Sequence, residues 1–279
     1  MAEPSFVKYG KLVALADVRD IRQFSDRTFS VFEKIDGGNC QVRKMSDGRL
    51  VAGSKANFLH GAYLRKREWF EKLNSWMHQN PSLYNLPPHW VMFGEWSGNH
   101  NIVYAPRNAD TFFVIDVFDC TRERFFHYSE GVEHLQEAGV ECGVPMHSLF
   151  QGKVKPQDLS TLLAQPSQYY DGPQEGLVLK DYDSPQQLFL KVYHSDFSEK
   201  LRLPNGSINC ITPARFRKNI YRLIEERGYT SLTPAQLVEG VQEDVKSEEG
   251  IALRQGEVVQ ALSQFRSQGK LLRAARYLE

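Results

Sequence analysis

Val31-Phe32-Glu33-Lys34-Ile35-Asp36-Gly37-Gly38-Asn39 is the stretch around which this chain is organised. It reads as an apolar strand that ends in a lysine and runs into a tight glycine turn, with an aspartate two residues after the lysine. Gly37 and Gly38 allow a sharp bend and a close approach of backbone to a ligand. An ordinary lysine titrates near ~10.4, so about one side chain in ~2500 is an uncharged amine at neutral pH. A lysine that acts as a nucleophile needs that value lowered by burial or by neighbouring cations. Candidate cations lie far downstream, at Lys180 and Lys191. Taken alone, Lys-x-Asp-Gly also describes a plain hairpin turn, and only the order of the later segments separates the two.

Working outward, residues 5–30 lead in with short irregular structure. Gln41–Lys44 and Arg49–Ala52 flank Ser46-Asp47-Gly48, an Asp-Gly hairpin signal. Residues 62–78 switch to helical spacing, with Tyr63, Trp69, Phe70, Leu73, Trp76 and Met77 on the apolar face. The basic set Arg65, Lys66, Arg67 and Lys72 is either a solvated helix face or a nucleic-acid patch. Pro81 to Pro88 is a loop, and Trp90–Trp96 is a short apolar run carrying Glu95. Phe112–Asp119 is dense in aromatic and β-branched residues and predicts a buried strand; Asp116 inside it needs a partner or a cation. Ser129 is the expected N-cap of a helix that ends at Gly139, and Pro156 opens another. Glu175–Lys180 and Leu188–Tyr193 predict two more strands.

The character changes near residue 205. Asn205-Gly206 is a turn signal, and helices are expected over 213–227, 233–246 and 254–278. Two domains follow, residues 1–204 and a small helical one over 205–279. Arg215, Arg217, Lys218 and Arg222 cluster on the first tail helix, and Arg266, Lys270, Arg273 and Arg276 on the last. Those residues either hold a phosphate backbone or form a solvated surface.

Composition narrows the class. Of 279 residues, 41% are hydrophobic, enough for a real core. Lys+Arg and Asp+Glu both number 34, so no global basic field attracts nucleic acid and any such contact needs a local patch. There is no apolar run of membrane-spanning length and no basic-then-apolar leader at Met1–Ser5. Cys40, Cys120, Cys142 and Cys210 are widely spread, which predicts free thiols in a reducing, cytoplasmic compartment.

Lys34, Glu95, Glu175, Lys180 and Lys191 each end or interrupt an apolar run, so each could point into one cleft between sheets. Such a cleft suits a nucleoside triphosphate and a divalent metal, with lysines offsetting phosphate charge and carboxylates holding the ion. Phe113 could stack on a purine. The competing reading is a set of salt bridges at strand ends.

In this order the segments resemble the collinear motifs of the covalent nucleotidyltransferase superfamily, which contains ATP-dependent DNA ligases, RNA ligases and mRNA capping enzymes. The matching pieces are Lys34-Ile35-Asp36-Gly37, Phe93-Gly94-Glu95, Phe113-Val114-Ile115-Asp116, Glu175-Gly176-Leu177-Val178-Leu179-Lys180, and a final motif at Lys191. Asn39 and the ending Phe197-Ser198-Glu199-Lys200 are most similar to the RNA ligase 2 branch. The resemblance covers about residues 30–200. It implies an α+β fold, a nucleotidyltransferase core of antiparallel sheets flanked by helices.

The same resemblance implies the chemistry. Lys34 attacks the ATP α-phosphate and forms lysyl-AMP; AMP then passes to an RNA 5'-phosphate, and a 3'-OH displaces it. Glu33 contacts the adenine, Phe113 stacks on it, and Lys55 lies near the nucleotide. Glu95 touches the ribose, Glu175 helps bind Mg2+ or Mn2+, and Lys180 and Lys191 grip phosphate. Asn39 acts after adenylylation. The expected partner is RNA with 3'-OH and 5'-phosphate ends, no membrane is involved, and a monomer is expected. The chain departs from the family pattern at Tyr193, where a second lysine is common, and at Ile115, where an aromatic is common. A compact DNA ligase, a capping guanylyltransferase and a non-catalytic nucleotide- or RNA-binding module are the alternatives.

Overall fold

The computed structural model describes residues 6–10, 12–15, 26–65, 68–98, 102–104, 106–199, 201–202, 208–227 and 230–279. The expected Asn205-Gly206 turn and the basic pair Lys66 and Arg67 lie outside them. The chain divides into two compact units, Met1–His100 with Tyr104–Val192, and Asn101–Val103 with Tyr193–Glu279.

The first unit is two facing sheets with helices outside. Strands β1 (Val13–Ala14), β2 (Thr28–Glu33), β9 (Ser148–Lys153), β10 (Gly176–Lys180) and β11 (Phe189–Tyr193) form one sheet, in the order β1-β11-β10-β2-β9. Strands β3 (Gly38–Lys44), β4 (Leu50–Ser54), β5 (Trp90–Trp96), β6 (Phe112–Asp119) and β7 (Arg124–Phe125) form the other, ordered β4-β3-β5-β6-β7, with β8 (Val144–Pro145) on β6. The expected β3–β4 hairpin is present, with Lys44 opposite Leu50 and Gly48 at φ +87° in its turn.

Strand alternation sorts the side chains into three layers. Phe29, Val31, Leu177 and Leu179 face outward and pack with Leu159 and Leu162 of helix α4 (Pro156–Leu163). Cys40, Val42, Met92 and Trp96 face outward from the second sheet, against helix α2 (Glu68–Gln79). That helix follows the short α1 (Gly61–Leu64). Helix α2 buries Trp69, Phe70, Leu73 and Met77; each such burial contributes roughly 1.5–3 kcal/mol. Between the sheets lie Tyr9, Val91, Phe93, Tyr182 and Phe189.

Strand β6 changes face part-way. Phe93 pairs with Asp116 but Gly94 pairs with Val114, which leaves Ile115 as an extra residue. This bulge lets Phe112, Val114 and Val117 all join the outer core while Asp116 turns inward. Helix α3 (Tyr128–Glu137) ends before Gly139 at φ +74°, as its sequence predicts. Its N-cap is His127, not the expected Ser129, because the backbone stays extended only through His127 (φ −53°, ψ 141°) and is already helical at Tyr128.

The second unit carries the short pair β12 (Leu201–Arg202) and β13 (Ile208–Asn209), then helices α5 (Pro213–Arg227), α6 (Pro234–Glu249) and α7 (Gln255–Ser267). Thr233 and Gln236 cap the start of α6 reciprocally, and Gly250 ends it in the left-handed region. The expected long last helix stops at Ser267. Gly269 takes φ +67° and the Lys270 amide donates back to the Phe265 carbonyl at 2.9 Å, a Schellman closure. A 3-10 segment, Leu272–Tyr277, follows. Among the described residues no helix is long and apolar enough to cross a membrane. The cysteines are free thiols.

Four of the basic residues of this unit, Arg215, Arg217, Lys218 and Lys270, are internal partners, whereas Arg266 and Arg276 are exposed, as the solvated-surface reading expects. Arg215 is buried on α5, and its guanidinium pairs with Asp244 (2.7 Å), Glu248 (2.7 Å) and Glu249 (2.9 Å) on α6. Arg217 is also buried, donates to the Asp196 carbonyl and lies 4.8 Å from the Phe197 ring centroid. Lys218 pairs with Glu199 and Glu248, and Lys270 with Asp196. These charges tie helices together instead of facing a phosphate chain. Replacing Arg215 with Met leaves the buried Asp244 short of its closest cation, and loss of one partner of a buried pair costs about 3–5 kcal/mol. Urea denaturation of Arg215→Met is expected to show a loss of that size; an unchanged midpoint would contradict the pairing.

Candidate active site

Glu33 closes β2 in one sheet and Gly38 opens β3 in the other, so residues 34–37 carry the chain across from sheet to sheet. The lysine stretch is thus neither a hairpin nor a tight left-handed turn, and neither Gly37 nor Gly38 has a positive φ. Their missing side chains serve proximity instead. A Cβ on Gly37 would sit 2.5 Å from the Trp96 carbonyl oxygen, and one on Gly38 would sit 2.6 Å from the Trp69 ring. The Lys34 amide donates to the Gly176 carbonyl at 2.8 Å, which ties the crossover to β10.

Strand alternation then delivers the charged groups. Lys34 Nζ donates to Oε1 and Oε2 of Glu175, both at 2.8 Å. Asn39 on β3 stands opposite Glu95 on β5 and favours the ionised form of that carboxyl. Burial pushes the Glu95 carboxyl up to about 7; Asp36 adds to the rise, while Lys34, Asn39 and Lys55 oppose it. Burial pushes Glu175 up to about 8, against the pull of Lys34 and with further repulsion from Asp36 and Glu95. Asp36, Glu95 and Glu175 therefore form one electrostatically coupled, carboxylate-rich group around Lys34. Lys55, exposed just after β4, bears on the same group.

Glu33 points to the other side of β2. Its carboxylate accepts from Ser167 Oγ at 2.5 Å and from the Gln168 amide at 2.9 Å. Burial raises its proton affinity and these two bonds oppose the rise. Beside it Phe113 is fully enclosed, its ring 5.0 Å from Tyr169 and 6.1 Å from Tyr104, which in turn meets Tyr170 at 5.8 Å. The sequence reading missed Ser167, Gln168, Tyr104 and Tyr169. The adjacent pair Tyr169-Tyr170 in a polar loop was the one signal available.

Lys180 ends elsewhere, deeper between the sheets. Its ammonium donates to Asp116 Oδ2 at 2.8 Å and to the Ile115 carbonyl freed by the bulge. The rings of Phe32, Tyr128 and Phe189 surround it at 5.1, 5.6 and 5.7 Å. Tyr9 and Tyr182 add hydroxyl donors to Asp116 at 2.5 and 2.6 Å. Lys191 lies on β11 beside Ala14 of β1 and shares with Phe189 the face turned to the second sheet.

The family model described as RNA ligase matches residues 27–193, more than half of the chain. The chain belongs to the RNA ligase family. Every strand of the two sheets except β1, and every charged group above, falls inside that span. Among solved structures this RNA ligase family member is similar to a Naegleria gruberi RNA ligase, in a lysine-to-alanine variant with ATP and Mn: 15% identity, 68% of this chain and 57% of that one, TM-score 0.51. The same ligase with PPi aligns at 15% identity over 68% and 56%, TM-score 0.51. A glutamate-to-alanine variant with ATP and Mn aligns at 16% over 68% and 57%, TM-score 0.51. At such identity the likeness shows the fold, and this chain spans a little over half the length of those structures. No curated protein matches the chain.

The raised carboxyls give the site a pH signature. An acid whose folded pKa lies above its unfolded one holds in the folded state a proton that the unfolded chain has released. Its contribution therefore weakens as pH rises from the ordinary carboxylate value through about 8 for Glu175. Melting temperatures of the metal-free protein, compared between about pH 5 and about pH 8, should fall with pH in the wild type and fall less in Glu175→Gln. Parallel curves would exclude Glu175 as the source.

Proposed function

We propose that this chain is an ATP-dependent RNA ligase that works through a lysyl-AMP intermediate at Lys34. The observation that supports this reading most is the placement of Lys34: it sits on a crossover between two sheets, fixed through both oxygens of a buried carboxylate. A lysine so oriented suits attack on a bound nucleotide, and the aromatic group of Phe113, Tyr104 and Tyr169 would supply a surface for its base. The Naegleria ligase with ATP and Mn supports the choice of nucleotide and metal class.

In the first step the unprotonated Lys34 amine bonds to the α-phosphorus as the bond to pyrophosphate breaks. AMP then moves to the 5'-phosphate of an RNA end, freeing Lys34. Finally a 3'-OH attacks that phosphate and AMP leaves. Each step is an in-line transfer in which positioning and charge stabilisation supply most of the acceleration.

The residues divide this work by location. Phe113, Tyr104, Tyr169 and Tyr170 offer the aromatic surroundings for the purine, with Glu33 as an acceptor for its amino group. Glu95 faces the ribose, and Lys55 and Lys191 offset phosphate charge. Asn39, opposite Glu95, serves the step after adenylylation. Glu175, electrostatically coupled to Asp36 and Glu95, would supply a hard oxygen donor for Mg2+ or Mn2+. A bound ion would neutralise triphosphate charge there. Lys180 acts through Asp116, holding the sheets in register under the site.

Incubation with α-phosphate-labelled ATP and Mg2+, followed by a denaturing gel, tests the reading. The wild type should retain label and Lys34→Ala should retain none. Label from GTP alone would indicate capping chemistry, sealing of nicked DNA but not RNA would indicate a DNA ligase, and no label from any nucleotide would leave a binding module.

A further inference from the structure

The crossover that carries Lys34 is held at three places. The Lys34 amide is bonded to the Gly176 carbonyl of β10, Gly37 is pressed against the Trp96 carbonyl at the end of β5, and the Asp36 amide donates to the Tyr104 hydroxyl at 2.7 Å. The first two are set by backbone. The third is made by a side chain, from a loop distant in sequence, and it is buried on both sides.

Tyr104 is well suited to fix that amide. Only 5% of the residue is exposed. Its ring is tilted on Phe113 at 6.1 Å and meets Tyr170 edge-on at 5.8 Å, so the hydroxyl cannot follow the loop if the loop shifts. Burial, then the nearby Asp36 and Glu175 carboxylates, keep the phenol protonated well above the ordinary tyrosine range. It therefore serves as a neutral hydrogen-bonding group. The same ring belongs to the aromatic group assigned above to the base.

We propose that Tyr104 is a positioning residue for the nucleophile: its hydroxyl anchors the Asp36 amide and so fixes Lys34, two residues upstream, relative to a base seated on the Phe113 side of the same ring. This rests on the ligase reading. In physical terms, seating of the purine and placement of the amine are linked through one rigid side chain. The reaction needs the amine in line with the α-phosphorus, and misplacement by about 1 Å costs about a hundredfold in rate.

The test is Tyr104→Phe, which keeps the ring and removes only the hydroxyl. Three quantities are measured on the full chain: hydrogen exchange of the Asp36 amide, the single-turnover rate of lysyl-AMP formation with labelled ATP, and the ATP dissociation constant. In Tyr104→Phe the Asp36 amide should exchange faster. Lysyl-AMP formation should slow by about tenfold to about a hundredfold at saturating ATP, with the dissociation constant little changed. Unchanged Asp36 exchange, or a wild-type rate, would overturn the proposal. So would a loss of ATP affinity that accounts for the whole effect, which would make the Tyr104 hydroxyl itself a nucleotide contact and not an anchor for Asp36. A wild type that protects Asp36 but takes no label would overturn the ligase reading and leave the anchor itself standing.

Discussion

Asp116 and Lys180 meet where the two sheets of the first unit face each other, both almost completely enclosed. Taking each ion out of water costs several kcal/mol, and their attraction offsets this only if the remaining hydrogen-bonding capacity is also met. Here it is met: Asp116 accepts from Tyr9 and Tyr182 as well as Lys180, and Lys180 reaches the carbonyl that the Ile115 bulge releases. The pair links the end of β10 to the middle of β6. A slip of one sheet over the other would strand both charges, so the pair selects one alignment. The Lys34 crossover joins these same sheets, and its geometry depends on that alignment.

Above this floor the charge balance reverses. Lys34 faces Asp36, Glu95 and Glu175 in surroundings poor in water, and burial raises the proton affinity of both glutamates. Such an arrangement is costly for an isolated protein. Under the proposed function it would become favourable, because a divalent cation and phosphates would give the oxygen donors and the fixed ammonium partners of opposite charge.

The helical unit uses the same physics for a different end. The family match stops at residue 193, and beyond it Arg215 gathers acids from the facing helix as Lys180 gathers Asp116. The guanidinium offers several donors in a rigid fork, so one side chain satisfies three carboxylates. A run of arginines on a helix is thus an internal fastening here, although its spacing alone also suits an exposed basic face.

The strands and helices were legible because burial imposes a period of two or of 3.6 on apolar residues. Pro213–Arg227 shows the helical period, while Phe112–Asp119 and Gly176–Lys180 read as short continuous apolar runs, the mark of strands buried on both faces. Lys34, Glu95, Glu175, Lys180 and Lys191 were legible as charges that end or interrupt such runs, and Asn39 only through the family resemblance. Sequence periodicity carries no record of which sheet a strand joins, so the Lys34 stretch read as a turn when it is a crossover. Strict alternation would also have kept Asp116 on the face of Phe112 and Val114. One unpaired residue, Ile115, reverses it, and that bulge exists only in the pairing with β5. Tyr104, Ser167 and Gln168 come from loops, whose residues obey no period; folding alone brings them to Asp36 and Glu33 on either side of the lysine. The sequence by itself determined the elements and the chemical groups they carry, because those follow from local burial. Tertiary structure decided which groups meet, because strand pairing and sheet alignment depend on contacts between residues far apart in the chain.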